Sequence, residues 1–257
     1  MLFRSIFLYG ICTFLVSCTT IKREKHTYKS IEFTGPIDTK SVENIIQSIK
    51  QPPKTDNIII NSGGGNELAA LKLAKTISQH NVNVVVEGAC ISACAHIILP
   101  AARKVFIVEG SIIGFHGNIF GWLELFARTN QDEYSDLLEN SANIAEFLDQ
   151  KSINLDVLFC TANLTEPKTE IIYNSLNIPT RKTKYRFLVA DQNKLDWYGV
   201  KAAYFTGYSP THIKKQLAKS GVDLKGTLKD WTIEDCDALN MTTWKKVKKA
   251  LRHYSSE

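Results

Sequence analysis

The stretch Asn57-Ile-Ile-Ile-Asn-Ser-Gly-Gly-Gly65 decides the fold class. A short apolar run without alternation suits a strand buried on both faces, and such strands belong to parallel sheets covered by helices. The run stops at a serine and three glycines. A helical pattern carrying Leu68, Leu71, Ala74 and Ile77 follows at three- and four-residue spacing.

The same succession recurs on both sides. Upstream, Ile31-Glu-Phe-Thr alternates like a strand and stops at Gly35-Pro36. Asp38 or Thr39 can then cap a helix whose apolar face is Val42, Ile45, Ile46 and Ile49, ended by Gln51-Pro-Pro. Downstream, Val82-Asn-Val-Val-Val leads through Gly88 to a helix after Ser92 that Pro100 stops, and Lys104–Val108 and Ser111–Phe115 read as further strands. Strand–helix alternation of this kind predicts an α/β fold of stacked βαβ units, with ligands at the C-terminal ends of the strands.

Residues 122–158 are helical in pattern, with Tyr134, Leu137, Leu138, Ile144, Phe147 and Leu148 as apolar positions. The stretch 160–184 is polar, holds Pro167 and Pro179, and reads as a long connection or insertion. Tyr185-Arg-Phe-Leu-Val-Ala is a last strand, and Asp191 can cap a short helix ending at Gly199. The core domain therefore spans residues 31–205, with a basic, mostly helical extension over 206–257. Within that extension Trp244–His253, WKKVKKALRH, is either a solvated helix face or a surface for an anionic membrane or acidic partner.

The 257 residues are 44% hydrophobic and 22% charged, enough for one sizeable core plus an appendage. The net charge of +5 is spread along the chain and lacks interleaved aromatic–basic motifs, which argues against a nucleic-acid partner. The first seventeen residues stand apart. Met1–Arg4 supplies a short basic start, and Ser5–Leu15 is an apolar run of eleven residues, too short to span a bilayer. It ends in Leu15-Val16-Ser17-Cys18, which resembles a bacterial lipobox, with Cys18 as the lipidated new N-terminus; the alternative is an ordinary signal peptide or anchor with an incidental cysteine. Loss of residues 1–17 removes one charged group, Arg4, and leaves a net charge of +4. Residues 18–30 are then a polar tether. Thr19 stands where inner-membrane retention usually places an aspartate, so the expected location is the periplasmic face of the outer membrane.

Export leaves Cys90, Cys94, Cys160 and Cys236 in an oxidising compartment, where three complete pairings are open. Cys90 and Cys94 do not make a zinc half-site, because no second ligand pair has matching spacing; no metal or cofactor is expected.

Three features at strand ends carry chemistry. Ser62-Gly63-Gly64-Gly65 offers free backbone N–H groups to an anion, or else makes a tight strand-to-helix turn. Ser92, in Val86–Leu99 VEGACISACAHIIL, sits where a buried strand becomes a helix, and the helix N-terminus favours negative charge developing beside it. His116, in Ile113-Gly-Phe-His-Gly, ends an apolar strand, as a satisfied core residue or a functional one.

The ordered set Ile31-Glu-Phe-Thr-Gly, Ile60-Asn-Ser-Gly-Gly-Gly, Gly88-x-x-x-Ser92-Ala and Ser111-x-x-x-x-His116 resembles the Clp protease proteolytic subunit and its exported ClpP-like relatives. The resemblance covers residues 31–120 and, weakly, 185–200. It implies the ClpP/crotonase fold, a spiral of ββα units. It implies Ser92 as nucleophile, His116 as general base, and the backbone N–H groups of Gly65 and Ala93 as the oxyanion hole. Cys90-Ile-Ser92-Ala-Cys94 matches the Cys-x-Ser-Ala-Cys pattern of the exported subgroup. The implied substrate is an extended peptide or unfolded protein segment. Homo-oligomers would form through the 122–158 helices. No ATPase partner is expected, since the envelope lacks ATP.

The third triad member departs from the family. Tyr185 stands where the family has an aspartate before the Arg186-Phe-Leu-Val-Ala strand. Glu166, Glu170 and Asp191 are candidates without support from spacing. His96, four residues after Ser92, reads as a core residue rather than a competing base. Lys104 and Lys151, the nearest downstream lysines, align with no Ser-Lys dyad. The expected function is thus an envelope serine hydrolase, a peptidase. The alternatives are a catalytically impaired ClpP-fold binding or assembly lipoprotein, and a crotonase-type acyl-CoA enzyme, which the envelope disfavours.

Overall fold

The computed structural model describes residues 29–123, 131–165, 168–173, 179–184, 187–204, 228–229, 231–239 and 242–254. The expected signal peptide, Cys18 and nearly all of the tether lie outside these.

β1 (Lys29–Thr34), β2 (Thr55–Ser62) and β3 (Asn83–Ile91) are parallel neighbours. Ile58, Ile60, Val84 and Val86 are fully buried and share one face of the sheet, whereas Ile59 and Val85 on the opposite face are only half-buried, so the runs expected to be covered on both faces are covered fully on one. α1 (Thr39–Lys50) joins β1 to β2. Its start is a reciprocal cap: Asp38 Oδ1 accepts from Ser41 N at 2.7 Å, and Ser41 Oγ accepts from Asp38 N at 3.1 Å. Val42, Ile46 and Ile49 face inward from it. α2 (Glu67–His80) joins β2 to β3, capped by Asn66 and closed by Asn81 in the left-handed conformation. Its inward stripe runs through Ala70, Leu73, Ala74 and Ile77. Leu68, expected on that face, is 42% exposed, because the first turn of α2 stands at the rim of the sheet.

β3 forks. Val84–Val86 pair with β4 (Val105–Ile107), whereas Ala89–Ile91 pair with β5 (Ile112–Phe115), both parallel. Between the two, Ser92 opens a turn into a π-helix, Cys94–Ile98, which continues as α3, Leu99–Ala101. The sheet extends from β5 to β8 (Phe187–Val189), antiparallel, and then to β10 (Leu228–Lys229); β9 (Ala202–Tyr204) pairs with β4. The result is a mixed eight-stranded sheet with helices packed on it, an α/β architecture.

The helical stretch after β5 is broken. Residues 119–123 are helical, α4 is Gln131–Gln150, and α5 is Leu155–Leu164, with Ser152 at φ 57° in the turn between α4 and α5. The polar stretch expected as a connection contains more structure than its composition suggests. It holds the end of α5 and an antiparallel hairpin, β6 (Lys168–Tyr173) with β7 (Pro179–Lys184). α6 (Gln192–Tyr198) is capped by Asp191 and ends at Gly199 with φ 100°, both as read from the sequence. α7 (Ile233–Asp237) and α8 (Thr242–Tyr254) are the last described elements.

The described residues of the 206–257 segment are tied into the same core. Trp231 and Trp244 are buried, and Cys160 of α5 is disulfide-bonded to Cys236 of α7. Trp244 stacks on Phe159 at 4.9 Å and donates its indole N–H to Asp156 Oδ1 at 2.7 Å. Val247 and Leu251 continue the inward face of α8, and Lys245, Lys246 and Lys249 lie on the outer side. Among the described residues no helix is long and apolar enough to cross a membrane.

Candidate active site

Parallel pairing brings three strand ends to one edge. Ser62 of β2 is opposite Cys90 of β3, and Ile91 of β3 is opposite Gly114 of β5. The glycine loop, Ser92 and His116 are the next residues along each strand.

Ser92 is 7% exposed and adopts φ 58°, a left-handed conformation that non-glycine residues enter only when their surroundings force it. Its N–H donates to Gly114 O at 2.9 Å and its carbonyl accepts from His96 N at 2.8 Å, so both sides of the residue are pinned. A disulfide between Cys90 and Cys94, with Cα atoms 5.2 Å apart, closes the turn around it. Of the three pairings open in the sequence, the fold selects Cys90–Cys94 and Cys160–Cys236. A side chain held in a sharp strand-to-helix turn is the arrangement that presents a nucleophile at a sheet edge.

The glycine loop lies directly on this serine. A Cβ on Gly64, at φ 96°, would fall 2.5 Å from Ser92 Cβ, 2.6 Å from Ile91 O and 3.1 Å from Ser92 Oγ. A Cβ on Gly65 would collide with the backbone of Ile37, with which Gly65 forms a parallel bridge. Ile37 N donates to Gly64 O at 2.9 Å and Asn66 N donates to Ile37 O at 2.8 Å, which fixes the loop while using neither face of the Gly65 amide. The amides of Gly65 and Ala93, the sequence candidates for oxyanion donors, donate to no described residue. Ala93 opens the helix after Ser92, where backbone N–H groups lack intrahelical acceptors.

His116 follows β5 and is half-buried. Removal from water drives its pKa down to about 4, so its ring is neutral at pH 7 and one of its two nitrogens carries no proton. No carboxylate among the described residues contributes to that shift. His96 lies behind it, 1% exposed, its ring stacked on Phe115 at 5.3 Å and 6.5 Å from the His116 ring. Tyr198 of α6 is buried beside them, edge-on to Phe115 at 5.3 Å, and its hydroxyl donates to His96 O at 2.5 Å.

Of the candidates for a third triad member, Asp191 alone lies with its side chain among the described residues. Asp191 is committed to α6, its Oδ1 accepting from Lys194 N and its Oδ2 from Lys194 Nζ, both at 3.0 Å. Glu170 belongs to β6, with its side chain outside the described residues; Glu166, Tyr185 and Arg186 lie outside them altogether. Neither lysine reaches the site as a base. Lys151 donates to Ser78 Oγ on α2, and Lys104 precedes β4, at the opposite end of its strand from the serine edge.

Sequence reading missed Glu67. It is the first residue of α2, directly after the glycine loop, and its Oε2 accepts from Ile119 N at 3.0 Å, three residues beyond His116. Desolvation raises its pKa to about 7 despite that bond. An acid in the first turn of a helix is the ordinary response to the helix dipole, so its position carries no distinguishing signal. Among the described residues no three His, Cys, Asp or Glu side chains converge as metal ligands.

No protein-family model matches the chain, and no curated protein matches it.

Proposed function

We propose that the chain is a ClpP-like serine hydrolase, a peptidase anchored by lipid to the bacterial envelope. The observation that carries this reading is Ser92 held at φ 58° at a parallel strand end, with Gly64 packed against it and His116 leaving the adjacent strand. His116 takes the Ser92 proton, Ser92 Oγ attacks a peptide carbonyl, and the amides of Gly65 and Ala93 receive the oxyanion. The proton then passes from His116 to the leaving amine, and water reverses the sequence to free Ser92. The forked pairing of β3 supports the finer reading of a ClpP/crotonase spiral. The lipid anchor at Cys18, the outer-membrane location and self-association through the helical residues 122–158 belong to the same proposal.

The low pKa of His116 favours a second reading, a ClpP-fold envelope binding or assembly lipoprotein with little turnover. A base with a pKa near 4 has a small driving force for taking a serine proton at neutral pH. Labelling of the purified full chain with a fluorophosphonate, beside Ser92→Ala and His116→Ala, separates the two. The hydrolase reading predicts Ser92-dependent labelling that falls sharply in His116→Ala. A folded, unlabelled wild type refutes it in favour of the binding protein.

A further inference from the structure

Cys90 and Cys94 stand two residues before and two residues after Ser92. Their bond differs in kind from the other disulfide. Cys160–Cys236 joins α5 to α7 across a sequence separation of 76, whereas Cys90–Cys94 spans a separation of 4 and joins the two sides of a single turn. The benefit of a crosslink to a whole domain grows with the loop it closes, so a bridge this short is a weak staple for the fold. Its effect falls on the residues inside it: Ile91, Ser92 and Ala93.

Those residues need holding. Ser92 is left-handed at φ 58°, a conformation a serine keeps only where its surroundings impose it. The turn also joins two unlike elements: Cys90 is paired with Ile113 inside the sheet, and Cys94 opens the π-helix Cys94–Ile98, a widened turn that is rare away from functional sites. With the bridge open, the described contacts left to hold Ser92 are its N–H on Gly114 O, its carbonyl under His96 N, and the packing of Gly64. The bracket encloses the candidate nucleophile and Ala93, one of the two candidate oxyanion donors; Gly65 and His116 lie outside it. Both cysteines are fully buried, so once formed the bond is shielded from thiols in solution.

We infer that the Cys90–Cys94 disulfide arms Ser92: the dithiol chain folds with this turn unlocked and the serine unreactive, and oxidation of the two thiols completes the site. The inference rests on the serine-hydrolase reading of Ser92. The oxidant is a disulfide, small or protein-borne. The thiolate of one cysteine attacks a sulfur of that disulfide, giving a mixed disulfide and releasing a first thiol. The thiolate of the second cysteine then attacks the bound cysteine sulfur and expels a second thiol. The two protons lost by Cys90 and Cys94 go to the departing thiolates, and the oxidant is reduced by two electrons. In a chain exported as proposed above, the nucleophile stays silent until it reaches an oxidising compartment.

The test uses the full chain in three forms. These are oxidised wild type, wild type kept as the dithiol by a phosphine reductant throughout folding, and C90A/C94A folded under oxidising conditions so that Cys160–Cys236 still forms. The expected result is fluorophosphonate labelling of Ser92 at least about tenfold slower in the last two than in the first. Glutathione disulfide added to the folded dithiol protein should restore labelling as fast as mass spectrometry sees the Cys90–Cys94 bond appear, and should leave C90A/C94A slow. Amide exchange separates arming from general stability: Ser92 and His96 should exchange at least about tenfold faster in C90A/C94A than in oxidised wild type, with Ile58 and Ile60 unchanged. C90S/C94S is the second variant if C90A/C94A does not fold; a chain that folds as neither overturns the inference, because the bridge then holds the domain rather than the turn. Equally fast labelling of oxidised wild type and a folded variant also overturns it. An unlabelled but folded oxidised wild type overturns the hydrolase reading instead, and exchange then decides the bridge by itself: unchanged exchange at Ser92 and His96 refutes the locked turn.

Discussion

Gly64→Ala and Gly63→Ala should behave as opposites although the two glycines are adjacent. At Gly64 the φ of 96° already disfavours any L side chain by roughly 1–3 kcal/mol. The added methyl would also sit 2.5 Å from Ser92 Cβ and 2.6 Å from Ile91 O, the second a backbone atom that cannot swing aside. Overpacking of that kind adds about 1–3 kcal/mol. The two together make about 2–6 kcal/mol, a large part of the roughly 5–15 kcal/mol that holds a typical domain. Part of it would be relieved by the loop lifting off Ser92, which transfers the damage from stability to the site. At Gly63 no atom lies within 4 Å and φ is outside the left-handed range, so alanine should change stability by no more than about 0.5 kcal/mol. Urea unfolding followed by tryptophan fluorescence measures the first quantity, and the rate of Ser92 labelling the second. Gly64→Ala should lose at least about 2 kcal/mol or at least tenfold in labelling, a factor equal to about 1.4 kcal/mol. A Gly64→Ala protein with wild-type midpoint and wild-type labelling would refute the contact between loop and serine on which the site is built.

Three further outcomes are expected. Replacing Cys160 and Cys236 by alanine frees a loop with a sequence separation of 76, which the chain-entropy relation equates to about 4–5 kcal/mol of lost stability, measurable as a drop in the urea midpoint under oxidising conditions. Labelling of Ser92 should rise with pH through about 4, as the ring of His116 loses its proton, and stay level across the neutral range; a midpoint near 6.5 would reveal a carboxylate acting on His116. Glu67→Gln keeps an acceptor for Ile119 N and removes the buried ionisation. With the folded pKa raised from 4.5 to about 7, wild-type stability falls as pH rises between those values, so the variant should be more stable by up to about 3 kcal/mol at pH 8 and equal below about pH 4.5. Equal urea midpoints at pH 8 would show that Glu67 ionises freely in the folded chain.

The parallel half of the fold is legible in the sequence because its signals are local. The apolar runs Ile58–Ile60 and Val84–Val86 mark strands that lie side by side in the sheet with one face fully buried, and the capping residues Asp38 and Asp191 sit where the helices begin. Once β2, β3 and β5 are parallel neighbours, Ser92 and His116 must approach one edge, so their order along the chain was informative. What escapes the sequence is set by long-range geometry. The hairpin β6–β7 stands as a separate two-stranded ribbon, and its polar strands carry none of the apolar alternation that marks a half-buried pair. β10 is two residues long, below the reach of any periodicity. The disulfide pairing depends on which elements meet, and three answers fit the spacing equally. Glu67 and His96 look ordinary because what makes them unusual, the desolvation of Glu67 and the two ring nitrogens of His96 buried without a partner among the described residues, belongs to the folded chain.

The pairing of β10 with β8, and of Cys236 with Cys160, sets the order in which the molecule can be completed. Synthesis delivers β8 about forty residues before the strand that covers its outer edge, and Cys160 well before its thiol partner. During that interval the nascent chain exposes a bare sheet edge and an unpaired sulfur, the two routes by which a growing protein joins to the wrong neighbour. A chain cut short before residue 228 would stay in that vulnerable condition. The described elements from Leu228 to Tyr254 thus act as a clasp, engaged only after the rest of the sheet has been made.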